Sequence, residues 1–188
     1  AAQRRALSAD HTVVGFFGAT GSGKSSLFNA VVGQDLARSA ARRPTTSAPL
    51  AAIWGDEGSQ PLLDWLDVAD RRVVGPALST STGRKASTTS GGLVLLDLPD
   101  FDSRESANRA EARRVLELVD VFVWVTDPQK YADAALHDGY LRGLSSHSAV
   151  MTVVLNQIDR LTEEQRTSCI RDLRHVLDDE GLARTEIL

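Results

Sequence analysis

Apolar residues in this 188-residue chain fall into two alternating patterns. One is the short continuous run bounded by turn residues, which reads as a strand buried on both faces. HTVVGFFG (11–18), PLAAIWG (49–55), GLVLLDLP (92–99), VDVFVWVTD (119–127) and AVMTVVLNQID (149–159) are of this kind, and TEIL reads as the start of a last strand. The other pattern has helical spacing. SSLFNAVVG (25–33) places Leu27, Phe28, Val31 and Val32 on one face and stops at Gly33. Residues 105–119 do the same with Ala107, Ala110, Val115, Leu118 and Val119, and ALHDGYLRGL (135–144) also reads as helix. Thr162 with Gln165 forms a capping-box pattern that opens a helix. Its expected buried face is Ile170, Leu173, Val176 and Leu177, and Gly181 ends it. Strands alternating with helices predict an α/β domain with a mostly parallel sheet.

Between these elements the pattern weakens. Residues 1–10 read as an arm or short helix, and 34–49, with Pro44 and Pro49, as a loop. Residues 56–90 are the least regular. LLDWLDVADRRVV fits either a strand or a short helix, and LSTSTGRKASTTSGG is a polar segment expected to be mobile. No repeat of fixed period is present, and the length suits one domain over 11–188.

Composition narrows the classes. A hydrophobic fraction of 42% supports a core, and a net charge of −4 argues against a nucleic-acid binder acting through bulk positive charge. Arg38, Arg42 and Arg43 cluster locally and read as a solvated loop. The single cysteine, Cys169, excludes an intrachain disulfide and fits a reducing, cytoplasmic setting; it reads as a small packing residue. No apolar run is long enough to span a membrane. The chain opens AAQRR without methionine and stops at TEIL, which reads as a piece of a longer protein that could carry a membrane segment elsewhere. His11, His137, His147 and His175 have no metal-ligand spacing and read as structural or exposed. Trp54, Trp65 and Trp124 read as core or interface residues.

The densest chemistry lies at Gly18-Ala19-Thr20-Gly21-Ser22-Gly23-Lys24-Ser25, which fits G-x-x-x-x-G-K-[ST] between an expected strand and an expected helix. Glycines let the backbone curl until successive N–H groups point at phosphate oxygens, and the helix N-terminus adds partial positive charge. Thr20, Gly21, Ser22 and Gly23 would supply such groups, Lys24 would reach the β and γ phosphates, and Ser25 would place its hydroxyl on Mg²⁺. Ser26 would hold the α phosphate through its N–H. Asp97 ends an apolar run, where a carboxylate beside a phosphate loop would hold Mg²⁺ directly or through water.

Asn156-Gln157-Ile158-Asp159 follows another apolar strand and resembles the guanine-reading N/T-K-x-D motif. A carboxylate at Asp159 would accept from guanine N1–H and N2–H, a donor pair adenine lacks. If buried and left unpaired it would discriminate against adenine. Asn156 would brace the neighbouring loops, and Gln157 stands where lysine is usual.

With GATGSGKSS, RPTT, DLPD and NQID in this order, the chain resembles a G domain of the translation-factor-like GTPase class, nearest its Era-like and dynamin-like branches. The resemblance runs from Gly18 to Asp159 and implies a three-layer Ras-like P-loop fold binding GTP and GDP with Mg²⁺. It also implies a first-switch threonine on Mg²⁺: Thr46, with Thr45 as the alternate. In the family the next motif is D-x-P-G, whose glycine N–H meets the γ phosphate; here Asp100 takes that place. A carboxylate ~4 Å from a phosphate oxygen repels it by several kcal/mol, so Asp100 must turn away, meet Mg²⁺ or its waters, or weaken the triphosphate state. Phe101 stands where some relatives carry a water-orienting glutamine, and Gly21 where potassium-stimulated ones carry asparagine. Asp100 and Asp102 remain candidates for positioning water.

The implied catalytic set is therefore Lys24, Thr46 and Asp100, with slow hydrolysis that a homodimer partner or activating protein completes. The span before Asp97 is longer than a minimal G domain needs, which puts an extended hairpin or ordered insertion in 56–90. A base-contacting loop is expected beyond Leu188. TDPQKYAD (126–133) follows a strand end on the nucleotide rim and reads as a strand-to-helix loop, with Gln129, Lys130 and Tyr131 as alternative partner contacts. Two other functions stay open: a regulatory GTP-binding module with negligible hydrolysis, and an ATP-dependent P-loop kinase, against which Asp159 and the lack of an arginine-rich lid count.

Overall fold

The computed structural model describes residues 10–37, 48–76, 91–99, 118–132 and 150–188. Thr45, Thr46, Asp100, Phe101, Asp102, the basic cluster and the helices expected over 105–119 and 135–144 lie outside them, apart from Leu118 and Val119.

Each apolar run forms a strand, and all but the first are shorter than their pattern: β1 His11–Gly18, β2 Leu50–Trp54, β4 Gly92–Asp97, β5 Val121–Thr126, β6 Met151–Leu155 and β7 Glu186–Ile187. The irregular stretch supplies two more elements, helix α2 (Gln60–Trp65) and strand β3 (Asp70–Gly75). Helix α1 covers Lys24–Val32 and α3 covers Glu163–Asp179. The strands make one seven-stranded sheet in the order β3-β2-β4-β1-β5-β6-β7. All neighbours are parallel except β2 and β4.

Of the extended hairpin or ordered insertion expected in 56–90, the described part holds α2 and β3. β3 runs parallel to β2, so the chain must return along the sheet before pairing, and α2 lies in that return. Pro61 at the start of α2 suits a helix opening, and Leu62, Leu63 and Leu66 are fully buried. Residues 77–90 lie outside the described set.

Strand alternation divides the core into two layers, one on each face of the sheet. Phe16, Leu95, Val125 and Ala52 face α1, where Phe28 and Val32 meet them. Val13, Phe17, Leu96, Trp124 and Val153 face the other way, onto Leu62, Leu63 and Leu66 of the α2 region and Cys169, Leu173 and Leu177 of α3. This is the three-layer, mostly parallel architecture that the motif order implies.

Two expected helix faces shift. In α1 the buried arc is Lys24, Phe28, Asn29 and Val32, so Val31 falls outside it and is 54% exposed. Buried Asn29 has polar work: its Nδ2 donates to Ala37 O at 2.7 Å, and its Oδ1 accepts from Leu36 N and Ala37 N at 3.1 and 2.8 Å. In α3 the four-residue spacing Cys169–Leu173–Leu177 faces the sheet, leaving Ile170 exposed and Val176 half-buried. The Thr162–Gln165 capping box forms as expected. His11 is structural: it is buried, with Nε2 2.8 Å from Gly55 O.

Candidate nucleotide site

The site stands at the C-terminal ends of β1, β4, β5 and β6, where a parallel sheet leaves loops free to converge. β1 ends at Gly18, the loop turns through residues 19–23, and α1 begins at Lys24. Gly21 and Gly23 take φ of +78° and +88°, the left-handed region that a side chain disfavours. At Gly23 there is a second constraint: a Cβ would lie 2.2 Å from Asn156 Nδ2. The first helical bond at this end runs from Leu27 N to Gly23 O at 2.9 Å, so the N–H groups of Lys24, Ser25 and Ser26 precede the helix's own ladder. Such a turn attracts an anion.

Beneath the loop, β4 delivers Asp97 beside β1, in register with Phe16. Lys24 Nζ donates to Asp97 Oδ1 at 2.7 Å, and Ser25 Oγ donates to Asp97 Oδ2 at 2.9 Å. The Lys24 and Asp97 side chains are 3% and 0% exposed, so two opposite charges balance each other inside the protein. Asp97, 73 residues beyond Lys24 in sequence, thus forms one cluster with the adjacent pair Lys24 and Ser25. Ser22 is also fully buried, and its hydroxyl has no hydrogen-bond partner among the described residues.

The turn after β6 is tied to this loop. Asn156 Nδ2 donates to Ser22 O at 2.9 Å, and Gln157 Nε2 donates to Gly21 O at 3.1 Å. Gln157 itself sits at φ +59°, unusual for a residue with a side chain. Asp159 follows on a single 3-10 turn, Ile158–Arg160. It is exposed rather than buried. Beyond it, Leu188 N donates to Val153 O at 2.8 Å, which continues β7 along the sheet edge.

The loop after β5 makes a contact that sequence reading missed. Lys130 Nζ donates to Thr20 O. Tyr131 OH donates to Asp172 Oδ2 of α3 at 2.6 Å, and that bond, then burial, pushes the phenol above its ordinary range. Cys169 beside it is raised first by burial, which suits a packing residue. The sequence places Lys130 on this rim as an alternative partner contact but does not mark its target, a backbone carbonyl distant in sequence.

Mg²⁺ suits the donors present. Ser25 and Asp97 offer hard oxygens side by side, and this ion is commonly held by one or two protein oxygens together with phosphates and water. Among the described residues no group of three or more His, Cys, Asp or Glu could hold a metal unaided.

A family model described as 50S ribosome-binding GTPase matches residues 13–157. The chain belongs to that family. The match covers the phosphate loop, Asp97 and the Asn156-Gln157 turn of this GTPase domain. No curated protein matches it by sequence. Among solved structures, Era of Aquifex aeolicus bound to GDP and AlF4⁻ is similar at 16% identity and TM-score 0.64, over 95% of this chain and 50% of that one. Toc33 of Arabidopsis thaliana with GDP and Mg²⁺ is similar at 13% identity and TM-score 0.59, over 95% and 69%. A bacterial dynamin from an oligomerised pair that tethers membranes is similar at 14% and 0.64, over 100% and 34%. The GTPase domain therefore spans half of the Era chain and about a third of the dynamin chain. At these identities the likeness is one of fold. No helix among its described residues is long and apolar enough to cross a membrane.

Proposed function

We propose that residues 11–188 form one G domain that binds GTP and GDP with Mg²⁺, hydrolyses GTP slowly and changes switch-loop conformation as it does so. The observation that carries this reading is the bond pair from Asn156 and Gln157 to Ser22 O and Gly21 O. In this reading it ties the turn that would meet the base to the loop that would hold the phosphates.

In this reading the amides of Thr20 to Ser26 hold the phosphates. Lys24 exchanges Asp97 for phosphate oxygen, so the buried cation never lacks a partner. Ser25, Asp97 and the switch threonine Thr46 would hold Mg²⁺, which when bound neutralises phosphate charge. Asp159 accepts from guanine N1–H and N2–H. Its exposure leaves it open to an entering base, and a loop following β7 would enclose it. Asp100 beside the γ phosphate disfavours the triphosphate state unless it turns to Mg²⁺ or its waters. Slow turnover then calls for a second copy or an activating protein, a reading supported by the oligomerised dynamin pair among the similar folds.

The test is calorimetric titration of GTP, GDP and ATP with Mg²⁺, followed by phosphate release. Submicromolar GTP and GDP binding with no ATP binding is expected, at roughly −8 kcal/mol or better. Asp159→Ala should lower GTP affinity at least ~10-fold, the worth of one charge-assisted hydrogen bond, and narrow the gap to ATP. Equal binding of ATP and GTP by the wild type overturns the assignment. Binding without phosphate release favours a regulatory module.

A further inference from the structure

Three consecutive carbonyls of the phosphate loop accept from side chains of other loops: Thr20 O from Lys130, Gly21 O from Gln157, and Ser22 O from Asn156. Two of these donors belong to the base-reading motif. The third, Lys130, comes from the loop after β5 and is the only one of the three that carries charge.

The peptide plane gives this contact a consequence. In a trans peptide the C=O and N–H point in opposite directions, and no cis bond occurs here. Thr20 C=O and Gly21 N–H are the two ends of one peptide. A cation on the carbonyl fixes that peptide's orientation and draws electron density from the amide, making its N–H a stronger donor. The ammonium also fills the space beside the loop: a Cβ on Gly21 would stand 3.0 Å from Lys130 Nζ. A side chain at position 21 and the lysine would compete for one place.

The lysine is held ready for this role. Gln129 N donates to Asp127 Oδ1 at 2.8 Å, and Lys130 N and Tyr131 N donate to Asp127 O at 3.0 and 3.2 Å, so the turn is fixed from its base. The Tyr131 bond to Asp172 fixes its far end. Asp127 Oδ2 lies 3.8 Å from Lys130 Nζ, a looser contact than the carbonyl makes.

We propose that Lys130 is a positioning residue of the nucleotide site. Through the Thr20 carbonyl it aims the Gly21 N–H at the phosphates and adds positive charge beside them, so that it strengthens di- and triphosphate binding more than monophosphate binding. This rests on the nucleotide reading above, and its test separates the two. Affinities for GTP, GDP and GMP with Mg²⁺ are measured for wild type, Lys130→Met and Lys130→Arg. Met keeps the aliphatic stem and loses the charge; Arg keeps the charge.

The expected result is a ~10-fold loss for GTP and GDP in the Met variant, the size of one charge-assisted bond, with GMP affinity nearly unchanged. Arg should restore most of the loss. An equal loss for all three nucleotides, as from a loosened fold, overturns the role, and so does no loss at all. A Met variant that does not fold leaves Arg to decide, since wild-type-like GTP-to-GMP discrimination in Arg supports the role and its collapse overturns it. Wild-type protein that binds none of the three overturns the nucleotide reading itself.

Discussion

At the scale of single residues the site is a problem of placing charge. Lys24 and Asp97 sit together almost without solvent, and each offsets the charge of the other. Removing one alone takes that balance from the buried charge that remains. Asp97→Ala should therefore lower the stability of nucleotide-free protein by about 3–5 kcal/mol, as read by chemical denaturation. The double variant Lys24→Met/Asp97→Leu removes both charges and fills the space with apolar atoms. It should recover most of that stability and still bind no GTP. A double variant as unstable as Asp97→Ala would show that the pair is not the cause.

Elements carry the site by what they bury. α1 starts with Lys24 and Ser25 and is anchored by Phe28, fully buried and edge-on to Phe16 at 5.8 Å between ring centres. Phe28→Ala should cost about 3–5 kcal/mol and weaken nucleotide binding too, because the same helix sets the loop. α3 packs on the other face of the sheet and begins at the Thr162 capping box. Thr162→Ala should cost about 1 kcal/mol and leave GTP affinity unchanged. Thermal melting and titration of both variants check the contrast; equal effects on affinity would refute the separation of the two helices. α2 and β3 add an edge to the sheet beyond β2, with Arg71 tied to Asp64 and Gln60 at 2.6 Å each.

For the whole molecule, ligand binding and folding are one equilibrium. GTP at a hundredfold excess over its Kd should stabilise the native state by about 2.7 kcal/mol, seen as a raised melting temperature. Chelating Mg²⁺ should remove much of that rise, because the phosphates then lose their counter-charge at Ser25 and Asp97. ATP at the same concentration should produce no rise. A rise with ATP equal to that with GTP would contradict base selection by Asp159.

The sequence alone determined the strands other than β3, the two long described helices, the phosphate loop and the positions of Asp97 and Asn156–Asp159. All are local: burial on both faces writes continuous apolar runs, and tight turns at phosphate demand glycine at particular spacings. It left α2 and β3 ambiguous, because LLDWLDVADRRVV divides between two short elements, each too brief to show a period. It misplaced Val31 and Ile170, because helical spacing names an arc while the sheet chooses which part of that arc it covers. Only the tertiary structure decided that Lys24, Ser25 and Asp97 meet, that Gln157 and Asn156 grip the phosphate loop, and that Lys130 reaches Thr20. Those contacts join separate strand ends, often through backbone carbonyls, and a carbonyl has no letter in the sequence.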